Sequence, residues 1–106
     1  MGFRFVKQDT LDELVVSLCR DFDRRERALC KNDVSHRTKV ELKYINYKIS
    51  EAAREVVGDE YAVYIKEIGR AIGYAKTEIS EISEAAYKLK KAEIKANIAR
   101  RLHLTD

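Results

Sequence analysis

An all-α bundle of three or four helices is the fold class this sequence predicts, and three observations carry the prediction. The 106 residues hold no proline and only four glycines, which favours long helices over a turn-rich sandwich. Apolar residues recur at spacings of three and four through every long stretch, the period of amphipathic helices. Charged side chains make up 37% against 45% apolar, too much apolar content for a disordered tail. A chain of this length has room for one hydrophobic core, so one domain is expected.

The elements are taken in chain order. Phe3 and Phe5 alternate with Gly2, Arg4 and Val6, a pattern for a short arm over residues 1–9 that is either a strand or an extended strap. A single helical domain then runs over 10–106. Thr10-Leu11-Asp12-Glu13 reads as a capping box. Leu11, Leu14, Val15, Leu18, Cys19, Phe22 and Leu29 place a first helix at about 11–31. The dense charges from Arg20 to Arg27 read as its solvated face. Asn32-Asp33 marks a turn, after which Asp33 or Ser35 caps a second helix at about 35–57. Leu42, Ile45, Ile49, Ala52, Ala53 and Val56 form its apolar stripe. Gly58 supplies a left-handed stop, and Asp59 is placed to cap a third helix.

From residue 61 the apolar positions alternate four and three. Tyr61, Ile65, Ile68, Ile72, Ala75, Ile79, Ile82, Ala86 and Leu89 read as a coiled seam that predicts a homodimer. Beyond Leu89 the apolar residues move to Tyr87, Ile94, Ile98 and Leu102, roughly 100° round the helix. Gly69 and Gly73 each cost about 1 kcal/mol inside a helix. The long C-terminal segment therefore either presents two packing faces or breaks near 80–83, where Ser83 would cap a new helix.

Enzyme signals are absent from the sequence. His36 and His103 have no second histidine or cysteine at zinc-site spacing, and there is no phosphate-cradling glycine loop or nucleophile elbow. No catalysis, metal or cofactor is expected. Gly69 and Gly73 form a G-x-x-x-G, read here as close packing or a helix end. No stretch of about 18 apolar residues spans a membrane and the start lacks a signal peptide's apolar core, so a cytoplasmic location is expected. Cys19 and Cys30 lie eleven residues apart, about 16 Å along one helix, and are expected as free thiols, Cys19 buried and Cys30 near the turn.

Two features carry functional expectations. Lys88, Lys90, Lys91, Lys95, Arg100 and Arg101 crowd the C-terminal stretch against Glu93 alone. Such a stripe can meet phosphate oxygens. The six tyrosines read mostly as rims of the core, with Tyr87 the exception because lysines come directly after it.

The run Ile82-Ser83-Glu84-Ala85-Ala86-Tyr87-Lys88, together with Lys90-Lys91, is similar to the start of the recognition helix in helix-turn-helix proteins of the sigma-factor region-four type. Together with Ile68, Gly73-Tyr74, Ile98-Ala99, Leu102-His103-Leu104 and the earlier Ile45-Asn46, Ile49 and Ala52, it resembles small regulatory proteins of phages and mobile elements of Gram-positive bacteria. The resemblance covers about 60 residues. It departs from the pattern at the turn, where Glu81 replaces the usual glycine, and at the polar Lys76 and Ser80. It implies a DNA-binding regulator in which Ser83 caps the recognition helix while Tyr87, Lys88, Lys90 and Lys91 face DNA. The alternative expectation is a protein-interaction module, a phage-encoded adaptor or inhibitor, that meets a host or phage protein through the coiled seam.

Overall fold

Five α-helices make up most of the computed structural model, which describes residues 8–105: α1 (Gln8–Arg20), α2 (Phe22–Leu29), α3 (His36–Val57), α4 (Tyr61–Gly69) and α5 (Glu84–Arg101). Short 3-10 turns occupy Gly58–Glu60 and Tyr74–Lys76, and the described residues contain no strand. The fold is all-α. Counting the kinked pair α1–α2 as one rod, it is a bundle of four.

The expected N-terminal arm lies almost wholly outside the described residues, and Gln8 and Asp9 already belong to α1. Thr10 is therefore inside the helix and not its cap. Its amide bonds the Asp9 carboxylate at 3.0 Å. The single first helix expected over 11–31 is kinked at Asp21, and a long-range polar cluster holds the kink. The Arg25 guanidinium donates to the Leu18 carbonyl and, through Nε, to Asn46 Oδ1 at 2.6 Å. Asn46 Nδ2 donates in turn to the Phe22 carbonyl at 3.1 Å and to Glu26 at 2.7 Å. Arg25 is thus buried and not on a solvated face. A guanidinium is tolerated there because its bonds to Leu18 and Asn46 compensate its desolvation.

Ser35 caps α3, its hydroxyl accepting from the Thr38 amide at 3.2 Å, and Gly58 ends the helix at φ +64°. Asp59 does not cap α4. It lies in the 3-10 turn, and α4 begins without a side-chain cap. At the far end of α4, Ala71 takes a left-handed φ of 54°. The amides of Ala71 and Ile72 then return to the carbonyls of Ile68 and Glu67 at 3.1 and 3.0 Å, a Schellman-type stop.

That stop breaks the C-terminal segment earlier and more widely than expected, over residues 70–83. Ser83 does begin a new helix, accepting from the Ala86 amide at 3.1 Å with Glu84 in the first turn. The heptad pattern is consequently no continuous seam. Tyr61, Ile65 and Ile68 lie on α4, Ile72, Ile79 and Ile82 in the connection, and Leu89 on α5. Ile65, Ile68 and Ile79 are buried inside the protomer, whereas Leu89 is 60% exposed.

The longest helix, α3, lies at the centre against α2, α4 and α5, while α1 packs on α4 and α5. Ile49, Ala52 and Ala53 of α3 meet Tyr64, Ile65 and Ile68 of α4 and Ile94 and Ile98 of α5 in one core, with Val15 and Cys19 of α1. The crossing of α1 and α4 depends on Gly69. A Cβ there would stand 2.7 Å from the Arg20 Cα.

Candidate functional site

The basic C-terminal residues are mostly engaged within the protomer. Lys88 pairs with Glu84 at 2.7 Å on its own helix, and Lys95 pairs with Asp12 of α1 at 2.8 Å. Arg101 meets Glu55 and Glu51 of α3, and Arg100 lies 3.7 Å from Glu55. Those arginines hold the Glu55 carboxyl below its ordinary value, by hydrogen bond and charge. Lys91 donates to the Ile72 carbonyl at 2.6 Å, and burial lowers its pKa. Of the six cations, Lys90 alone lacks such a partner among the described residues. Ser83 stands at the helix start as a cap. These side chains pin α5 to α1, α3 and the connection.

Tyr87 does not face outward. It is 1% exposed, and its hydroxyl donates to Glu67 Oε1 at 2.6 Å. Glu67, also fully buried, accepts from the Thr77 hydroxyl at 2.5 Å and from the Glu78 amide at 2.7 Å. Burial pushes the Glu67 carboxyl up, but the bonds from Thr77, Tyr87 and Glu78 outweigh it and leave the pKa lowered. Burial first, then the bond to Glu67, pushes the Tyr87 hydroxyl up to about 12. A buried carboxylate with three donors is chemically quenched. It ties the 70–83 connection to α4 and α5.

The accessible chemistry lies on α3. Its buried stripe (Asn46, Ile49, Ala52 and Ala53) leaves a face directed away from the core on which Val40, Tyr44 and Tyr47 succeed one another at spacings of four and three. They are 54%, 48% and 58% exposed. Lys48 Nζ sits 5.5 Å from the Tyr44 ring centroid and 5.9 Å from that of Tyr47, within cation–π range. On the side toward α2, Leu29, His36, Lys39, Val40 and Lys43 line a shallow groove with Glu26. Arg37 and Lys48 make only long pairs, to Glu41 at 3.8 Å and Glu51 at 4.0 Å. Glu51 also raises the Tyr47 hydroxyl pKa by hydrogen bond and charge.

Charge is distributed unevenly along the chain. Nine basic and five acidic side chains lie between residues 20 and 48, whereas residues 49–106 hold ten of each. Helix α5 itself carries six basic and two acidic side chains, but five of its six cations have partners within the protomer, whereas Lys39 and Lys43 of α3 form no ion pair among the described residues. A helical projection would have set Val40, Tyr44 and Tyr47 opposite the Leu42–Ile45–Ile49 stripe.

Among the described residues, no group of three or more His, Cys, Asp or Glu side chains is placed to hold a metal ion. No helix there is long and apolar enough to cross a membrane. No family model matches the chain, and neither a curated protein nor a solved structure matches it.

Proposed function

We propose that this chain is a small, non-catalytic regulatory module that binds nucleic acid through the outward face of α3. One observation carries the reading. Lys39 and Lys43 stand without an ion-pair partner among the described residues on the helix that presents two exposed tyrosines, while the α5 cations are largely neutralised by carboxylates of their own protomer. Exposed cations without close anions gain most from phosphate, because binding releases condensed counterions without first breaking an ion pair. The sequence resemblance to DNA-associated regulators of phages and mobile elements supports the same class of ligand.

Fluorescence anisotropy with a labelled oligonucleotide tests it. Engaging about three phosphates makes log affinity fall with log salt at a slope of about −2 to −3. The double substitution Lys39→Glu and Lys43→Glu is expected to abolish binding at low salt. Lys90→Glu, on α5, is expected to leave it nearly unchanged. Equal losses in both variants would return the contact to α5. Absence of any binding by the folded protein would overturn the reading in favour of a protein partner.

A further inference from the structure

We infer that the ligand of the α3 face is an unpaired nucleic-acid strand, with bases stacked on Tyr44 and Tyr47 and phosphates held by Lys39, Lys43 and Lys48. The inference rests on the nucleic-acid reading above and narrows it.

The choice of a single strand comes from what the face presents. A helix that reads duplex DNA from the major groove carries arginine, asparagine or glutamine toward the base edges. At the centre of this face stand Val40, Tyr44 and Tyr47 instead, about half exposed. In a duplex the base faces are already stacked on one another, so an exposed ring on a convex helix finds no partner there. In an unpaired strand every base offers a free π-face, and stacking on an aromatic side chain contributes about 1–3 kcal/mol per base. Tyr44 and Tyr47 are three residues apart, a rise of about 4.5 Å along α3. That puts both rings on one strip of the helix face, within reach of neighbouring nucleotides.

The charges complement such a strand. Lys48 lies against both rings, beside the position that the sugar–phosphate backbone of two stacked nucleotides would take. Lys39 and Lys43 line the groove on the other side of Val40. Three carboxylates also face the strip: Glu26 in the groove, bonded to Asn46, Glu41 paired with Arg37, and Glu51 paired with Lys48 and Arg101. Against Arg37, Lys39, Lys43 and Lys48 they leave the face net positive. A phosphate displacing Glu51 from Lys48 breaks a contact of only 4.0 Å.

Competition anisotropy with an oligothymidylate and a duplex of equal length decides the matter. The unpaired strand is expected to bind at least about tenfold more tightly than the duplex. The double variant Tyr44→Ala and Tyr47→Ala is expected to lose at least about tenfold on the strand and little on the duplex, while Tyr44→Phe with Tyr47→Phe retains binding. Both tyrosines are exposed, so circular dichroism should show the alanine variant folded. Duplex binding as tight as strand binding, or alanine variants that bind the strand as wild type does, would overturn the single-strand inference and leave the nucleic-acid reading standing. If neither oligonucleotide binds the folded protein, both fail, and the ridge belongs to a protein surface.

Discussion

Tyr64 and Tyr87 stand 5.9 Å apart between ring centroids, and both are buried, but their hydroxyls are in opposite circumstances. Tyr87 donates to Glu67, whereas the Tyr64 hydroxyl has no partner among the described residues. An unmet buried hydroxyl destabilises, so Tyr64→Phe is expected to be neutral or to stabilise by about 1 kcal/mol. Tyr87→Phe removes a donor from a buried carboxylate and is expected to cost about 1–3 kcal/mol in urea unfolding. The pair also predicts a pH dependence. Burial raises Tyr87 from 10.0 to about 12 and Cys19 from 9.0 to about 12. A raised folded-state pKa gives stability that is full below the unfolded value and is lost as pH climbs toward the folded one. Stability should therefore decline from about pH 9 to 12, and Tyr87→Phe should lessen the decline above 10. Glu67 acts on the other limb: its lowered pKa gives stability present above its ordinary 4.5 and lost as pH falls below that. None of this was legible in sequence. A tyrosine with lysines after it reads the same whether its hydroxyl meets water or a carboxylate twenty residues away.

Local signals decided the helix ends that the sequence placed correctly. Ser35 and Ser83 cap their helices through their own hydroxyls, and Gly58 stops α3 by a backbone conformation that glycine tolerates. The kink at Asp21 was invisible because its cause, the Arg25–Asn46 bond, spans 21 residues. The G-x-x-x-G falls between these cases. It signalled close packing or a helix end, and Gly69 supplies both, ending α4 against the α1 backbone. Its two glycines are therefore expected to respond differently. In Gly69→Ala the new methyl would lie 2.7 Å from Arg20 backbone atoms, which cannot swing aside as a side-chain tip does. A loss of about 1–3 kcal/mol, the range for overpacking, is expected. Gly73→Ala meets nothing within 4 Å and has no left-handed φ, so its unfolding midpoint should move by less than about 0.5 kcal/mol equivalent. Equal effects at both sites would mean that α1 and α4 do not cross at Gly69.

Across the whole molecule, the strongest pattern in the sequence had two possible partners, and periodicity cannot choose between them. A stripe at spacings of four and three is apolar whether it packs on a second chain or on the protomer's own helices. Here the left-handed Ala71 folds the stripe back, and α1, α3 and α5 take up Ile65, Ile68 and Ile79. The accessible apolar ridge lies on α3, opposite that helix's buried stripe. This assignment makes a thermodynamic prediction. An interface between chains gives stability that rises with protein concentration, because association binds only the folded form. An intramolecular core does not. Ile79→Asn, at a position 8% exposed, is expected to lower unfolding free energy by about 3 kcal/mol. That loss should be the same across a hundredfold range of concentration. Leu89→Asn, on the exposed end of the same stripe, should cost less than about 0.5 kcal/mol. A loss at Ile79 that grew with concentration would place that residue between two copies. The connection over 70–83 would then have to open to release it, breaking the Glu67 bonds to Thr77, Glu78 and Tyr87. Those three bonds favour the closed protomer, and the concentration series measures whether they suffice.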